Sequence, residues 1–326
     1  MSRRTRVAAL VAAALMLAAC STPLPEPQPD AVPAALPPAV STEQVDDVVT
    51  EVAAVLAEAD AALDPTLLDS RVSGPARQIR GVEYALRLAG DEAALTPVPP
   101  AAQTVVAPAT DSWPRTVMVV TEPPADLQPP LLLTLVQADP RSQYTLWSWA
   151  RLFPGVEMPA TAQPEVGSAP VAGADESLAV PATEVVARYV DVLTNGDASP
   201  HAATFTPDPL RAGIVATRDA FAGVVGENGT LAETYAPSPE GPYAIGTADG
   251  GAIVVGAFTT VTTITLADST LTIGDQTASL LGRTTVSSNL AISWLSVVAF
   301  AVPPAGSTEP VRVLGGEHSR LQVTGE

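Results

Sequence analysis

The strongest constraint on the fold is a pattern that occurs twice. Val48, Val49, Val55, Leu56, Asp60 and Ala61 lie 137 positions before Val185, Val186, Val192, Leu193, Asp197 and Ala198. Apolar residues three and four apart line one side of a helix, and that side has to be buried. The first helix is expected to open at Ser41, where Ser41-Thr42-Glu43-Gln44 reads as a capping box, and to stop at Asp64-Pro65. A second helical stretch over 67–88 is broken near Gly74-Pro75. Strands are expected at Thr104 to Val106, Arg115 to Thr121, Leu131 to Gln137 and Tyr144 to Leu152, between proline-rich loops.

Residues 159–180 read as a linker, since Pro, Ala, Gly, Ser and acidic residues dominate and no periodicity survives. The plan then restarts. One helix runs from Thr183 to Asn195-Gly196, and a second starts on Asp208-Pro209 and ends at Gly226. Strands are expected at Ile253 to Leu266, Leu271 to Ile273 with Ala278 to Leu281, and Thr284 to Val302. A last hairpin joins Val311 to Leu314 with Ser319 to Thr324 through a Gly315-Gly316 turn. The expected class is α+β in two tandem domains, 41–158 and 181–326. Each has two helices followed by a curved antiparallel sheet.

The first nineteen residues are of another kind. Arg3, Arg4 and Arg6 precede an apolar run from Val7 to Ala19, too short to span a bilayer, which reads as an export signal. Cys20 is the single cysteine, so no internal disulfide can form. Leu17-Ala18-Ala19-Cys20 resembles the lipobox of bacterial lipoproteins. The resemblance implies that residues 1–19 are removed and that the Cys20 sulfur carries a diacylglyceryl group. It also implies that the new amino terminus is acylated. Each buried methylene of such chains contributes about 0.8 kcal/mol, which would hold the protein at the extracytoplasmic face of the cell membrane. Residues 20–40 form a tether, with seven prolines between 21 and 40. At about 3.1 Å per residue it would reach roughly 60 Å. The helix-helix-sheet order, together with the lipobox, resembles tandem NTF2-like lipoproteins of actinobacterial type over most of 41–326. That superfamily includes empty structural cones and ketosteroid-isomerase-like enzymes, so the resemblance implies a fold and leaves the function open.

All sixteen basic residues are arginine, and the formal charge of −19 becomes −22 once Arg3, Arg4 and Arg6 are removed. So acidic a body is repelled by nucleic acid and points away from it as a partner. Most catalytic patterns fail on residue type. Without lysine there is no P-loop, Schiff base or S-x-x-K nucleophile. His201 and His318 stand far apart, no Cys/His spacing suits zinc, and no G-x-S-x-G elbow occurs. No cofactor or metal is expected.

Three groups of residues remain as candidates. Arg77, Arg80, Tyr84 and Arg87 form a stripe roughly opposite Ile79, Val82 and Leu86. The stripe is expected to face away from the core, either as an anion or partner contact or as a solvated face paired with the acidic first helix. Trp147 and Trp149 share one face of a strand, as core or as a sugar-stacking platform. Tyr189, Asp219, Tyr235 and Tyr243 could line a pocket in the second domain. The expected function is a non-enzymatic, membrane-anchored binding or assembly module of the cell envelope, whose partner is an envelope protein or a cell-wall polymer. The alternative is a carrier of a small apolar ligand, or an NTF2-like enzyme, using a pocket in residues 181–326.

Overall fold

The computed structural model describes residues 36–124, 128–171 and 176–326. The basic segment, the lipobox with Cys20 and the proline tether up to residue 35 lie outside the described residues.

Local signals place the helices of the first half. The Ser41 hydroxyl accepts from the Gln44 N–H at 3.2 Å, and the Gln44 side chain accepts from the Ser41 N–H at 2.9 Å. Two otherwise unpaired donors are thereby satisfied at the start of α1 (Thr42–Ala62). Asp64 then caps a 3-10 turn over Pro65–Ser70, and α2 (Gly74–Leu88) follows with Pro75 in its first turn. Strands β1 (Ala102–Val106), β2 (Arg115–Thr121), β3 (Leu131–Gln137) and β4 (Thr145–Leu152) form an antiparallel meander, as expected.

In the second half, α3 (Ala182–Asn195) and α4 (Pro209–Val225) precede the remaining strands. These are β5 (Gly229–Pro237), β6 (Tyr243–Gly246), β7 (Ala252–Leu266), the short β8 (Leu271–Thr272) and β9 (Thr285–Val286), β10 (Asn289–Val302) and β11 (Arg312–Gly325). A short helix α5 (Asp275–Leu281) lies between β8 and β9, where Ala278 to Leu281 read as a strand. So brief an apolar run suits either period, and the sequence cannot separate them. β5 and β6 were not expected. The burial of β5 alternates, but its inward positions include Glu233 and Tyr235, which blur a hydrophobic alternation.

One sheet runs through both halves, in the order β1-β2-β3-β4-β11-β10-β7-β5, with β6 also on β7. Its two parts meet at β4 and β11, where Leu152 faces Gly315 and Arg151 faces Gly316. The expected Gly315-Gly316 hairpin is therefore corrected: β11 passes straight through both glycines. Their role is close approach. A Cβ on Gly315 would stand 2.4 Å from the Arg151 carbonyl oxygen, and one on Gly316 would stand 2.9 Å from Leu210 Cδ2.

The core follows the two faces of this sheet. Val255, Ala257, Leu295 and Val297 on one face pack into a cluster with Trp147, Trp149, Leu131 and Leu133 of the first half. The alternate positions Val254, Phe258, Val298 and Phe300 face α3, around Tyr189. A Cβ on Gly256 would lie 2.4 Å from Val186 Cγ2, so α3 rests on bare strand backbone there. Of the six pairs at the 137-residue offset, Val49/Val186 and Leu56/Leu193 are buried in both helices. Val45, Val49, Val52 and Leu56 of α1 are buried, and 137 positions on so are Ala182, Val186, Tyr189 and Leu193 of α3.

The segment expected as a linker is laid onto this body. Ser168 exchanges backbone hydrogen bonds of 2.8 Å with Ala107 and Ala109, and Pro170 and Leu178 bridge to Ile245 and Pro304. Among the described residues no helix is long and apolar enough to cross a membrane.

Gly315→Val should destabilise the protein by about 1–3 kcal/mol or more, because its branch has to displace the β4 backbone. Gly223→Ala, in a helix with no atom near the new Cβ, should instead stabilise by about 0.5–1 kcal/mol. Urea denaturation of the two variants beside the parent measures both signs.

Candidate functional site

Packing against β4, β11 and the 3-10 turn buries Ala76, Ile79, Arg80, Glu83 and Tyr84 of α2, and this reverses the expected outward position of Arg80 and Tyr84. Arg80 and Tyr84 are each only 1% exposed. The Arg80 guanidinium donates to Glu83 Oε2 at 2.7 Å and to the Thr96 carbonyl at 2.9 Å, and lies 5.3 Å from the Trp149 ring centre. The Tyr84 hydroxyl donates to Asp60 Oδ1 at 2.7 Å, and Arg80 Nε stands 3.5 Å from the same carboxylate. Thr96 closes the network by donating to Glu83 through its N–H and its hydroxyl, at 3.2 and 2.6 Å. Burial pushes the Glu83 carboxyl above its usual range although Arg80 opposes this, and the Tyr84 phenol is raised by burial and by Asp60.

The other two arginines stay at the surface. Arg77 pairs with Asp69 at 2.6 Å, and Arg87 pairs with Glu92. All four positions are thus committed within the chain, two as a buried lock between helices and two as surface pairs. The partner that α1 supplies is Asp60, beside Arg80, and not one of the expected Asp46, Asp47, Glu51 and Glu58; Glu51 pairs with Arg71, outside the stripe. Trp147 and Trp149 are core residues, 2% and 0% exposed.

The four pocket candidates of the second half do not converge. Asp219 is exposed and its nearest cation is Arg218, at 3.4 Å. Tyr243 packs edge-on against Trp147, with ring centres 4.8 Å apart. Tyr189 lies inside the apolar cluster on the helix side of the sheet and Tyr235 packs against the edge of that cluster, but their hydroxyls bond to different carboxylates, Asp208 and Glu233.

The first cluster centres on a residue the sequence reading used only as a helix cap. Asp208 is 7% exposed. Its Oδ1 accepts from the Arg211 N–H at 2.8 Å and from the Tyr189 hydroxyl at 3.0 Å. Its Oδ2 has no hydrogen-bond partner, and Arg211 Nε stands 3.8 Å away. Burial raises the Asp208 carboxyl above its ordinary value, and burial with the Asp208 charge raises the Tyr189 phenol. Beside Asp208 a cleft of about 450 Å³ is lined by Val192, Leu193, Phe205, Val215, Arg211 and Arg218. The second half therefore does hold a carboxylate facing a phenol beside an apolar cleft, but with Asp208 in the place expected for Asp219.

The second cluster is a polar belt across β5, β7, β10 and β11, between two apolar clusters. Strand register brings Tyr235, Thr260, Trp294 and Arg320 into one row, and Ser296 beside His318 into the next. Tyr235 donates to Glu233 at 2.5 Å, Thr262 donates to Glu233 at 2.8 Å, and the Trp294 indole N–H donates to Thr262 at 3.2 Å. His318 stacks on Trp294 with centres 4.7 Å and planes 8° apart, and Arg320 lies 4.5 Å from the same ring. His318 Nδ1 is 2.8 Å from Ser296 Oγ. Burial, with the Arg320 charge beside it, pushes the His318 imidazole down to about 4.

That environment opposes catalysis by the Ser296–His318 pair. A general base has to become imidazolium, and an adjacent guanidinium disfavours that cation where a triad carboxylate would favour it. Ser296 is also 0% exposed. No group of three His, Cys, Asp or Glu side chains that could hold a metal ion gathers among the described residues.

A family model described as a domain of unknown function, DUF8094, matches residues 36–325, and the chain belongs to that family. No curated protein and no solved structure matches the chain.

Because the folded pKa of His318 lies below its unfolded value of 6.5, its contribution to stability is present above pH 6.5 and is lost as pH falls toward 4. His318→Gln should flatten the stability profile in that window. Urea midpoints at pH 7, 6, 5 and 4 test this, and an unchanged slope in the variant would count against it. Arg80→Ala should cost about 3–5 kcal/mol by stranding Glu83, whereas Arg77→Ala should cost no more than about 1 kcal/mol. Thermal melts of the two variants rank them.

Proposed function

We propose that this DUF8094-family chain is a lipid-anchored protein of the extracytoplasmic membrane face, and that its folded part is a non-enzymatic binding or assembly module of the cell envelope. The observation that carries the anchoring is the uninterrupted order of basic segment, apolar run, Leu17-Ala18-Ala19-Cys20 and proline tether. The non-enzymatic reading is supported by how the reactive side chains are spent. Arg80, Glu83, Asp60 and Tyr84 lock helices together, and His318 sits in a field that disfavours proton uptake.

The finer architecture we propose is a pair of NTF2-like cones sharing one sheet. Its support is the helix-helix-strand order of each half and the matched burial of α1 and α3 at the 137-residue offset.

A second reading is favoured by Asp208. A carboxylate with one unpartnered oxygen beside an apolar cleft suits a carrier of a small apolar ligand, or an enzyme that moves a proton in the second half. Native mass spectrometry of the purified protein separates the two. A co-purifying small molecule that Asp208→Asn loses would favour the second reading.

For the anchor, the native amino-terminal peptide should begin at Cys20 and carry acyl mass. Cys20→Ala should lose that mass and, after carbonate and high-salt washes, leave the membrane fraction. Retention of Cys20→Ala with no acyl group on the native chain would overturn the proposal.

A further inference from the structure

A cleft of about 430 Å³ lies between the first turns of α1 and the turn that joins β3 to β4. Arg115 sets its character. Its guanidinium lies 4.0 Å from the ring centre of Trp113. It is half-buried, and none of the described residues accepts a hydrogen bond from it. The neighbouring arginines are spent: Arg71 pairs with Glu51, and Arg77, Arg80 and Arg87 have the partners given above. Trp113 is itself held, since its indole N–H donates to Gln137 Oε1 at 3.2 Å and Gln137 donates to the Ser142 carbonyl at 2.9 Å. Arg115 is therefore a cation held on a rigid aromatic base with its buried Nε–H unpartnered, a costly arrangement.

A second observation points the same way. Tyr144 lines this cleft, is 91% buried on its 9% exposure, and its hydroxyl has no hydrogen-bond partner. Burial raises its phenol while the charge of Arg115 opposes the rise, which places the two groups in one electrostatic neighbourhood. Arg115 and Tyr144 thus line one surface depression, each with a buried polar atom unpartnered.

The rest of the lining narrows the ligand. Asp47 and Glu51 border the cleft together with Gln44 and Gln143. Arg71, which also lines the cleft, neutralises Glu51 and leaves one carboxylate, Asp47, beside Arg115; that carboxylate disfavours a dianion such as phosphate and accepts hydrogen bonds from hydroxyls. The amides accept or donate as needed. One guanidinium matches one carboxylate in a fork geometry. We propose that this cleft binds a saccharide bearing a single carboxylate, with the acid on Arg115 and ring hydroxyls on Asp47, Gln44 and Gln143. The binding claim stands without the anchoring proposed above; only the reading that such a sugar is met in the cell wall rests on it.

Titration calorimetry of the full chain in detergent tests the site. The probe is the disaccharide of N-acetylglucosamine and N-acetylmuramic acid. Saturable binding is expected, weakened at least about tenfold by Arg115→Gln and by methyl esterification of the probe, as loss of a charge-assisted hydrogen bond predicts. The ester arm uses the unaltered protein, so a folding defect in the variant cannot mimic the result. Competition by glucuronate assigns a free sugar acid if it displaces the probe fully, and a polymer if it does so weakly. Absence of saturable binding, equal binding by Arg115→Gln, or displacement by inorganic phosphate as effective as by the sugar acid would overturn the proposal.

Discussion

The whole arrangement depends on the contact between β4 and β11. Two residue pairs join a four-stranded meander to the strands of the second half. That short join is possible because Gly315 and Gly316 carry no side chain where the Arg151 carbonyl and Leu210 press in. Once it forms, one face of β7 and β10 becomes the floor of the first half's core, and the opposite face is left for α3 and α4. The separation of the first half's apolar cluster from the two on the opposite face follows from the alternation of side chains along strands that both halves share.

That partition also explains the distribution of charge. A helix lying on open sheet would expose one whole side, and its arginines would be solvated. α2 is enclosed by α1, the 89–96 segment and the sheet, so Arg80 enters the interior and has to be satisfied there. Glu83 and the Thr96 carbonyl accept its terminal donors, and the Asp60 carboxylate and the Trp149 ring flank a guanidinium whose Nε–H stays without a hydrogen bond. The second half has a counterpart in chemistry: Tyr84 donates to Asp60 in one half and Tyr189 donates to Asp208 in the other. In both, a phenol and a carboxylate tie the two helices of a half together, and burial moves the phenol's titration upward.

Much of the backbone was legible. The capping box at Ser41, the Asp64-Pro65 stop, the Asp208-Pro209 start and the strands of the first meander stand where local signals put them. The strands missed or misread, β5, β6 and the 278–281 segment, carry patterns that are ambiguous over so few residues. The site residues were less legible. The stripe of α2 was correct as an angular statement about one helix and wrong as a statement about exposure, because exposure depends on what lies on the other side. Asp208 was visible only as a cap. The proximity of Tyr144 to Arg115 had no signal at all, since it arises from segments that meet through strand pairing.

The amino-acid order alone determined where most helices begin and end, which positions are apolar, and that a single cysteine allows no internal disulfide. These are properties of a few neighbouring residues. Tertiary structure decided that β11 runs unbroken through Gly315 and Gly316, that Arg80 is interior, that Tyr144 comes beside Arg115, and that His318 stacks on Trp294. Each of these depends on strand register and on the distance between segments remote in sequence, and no local period encodes either.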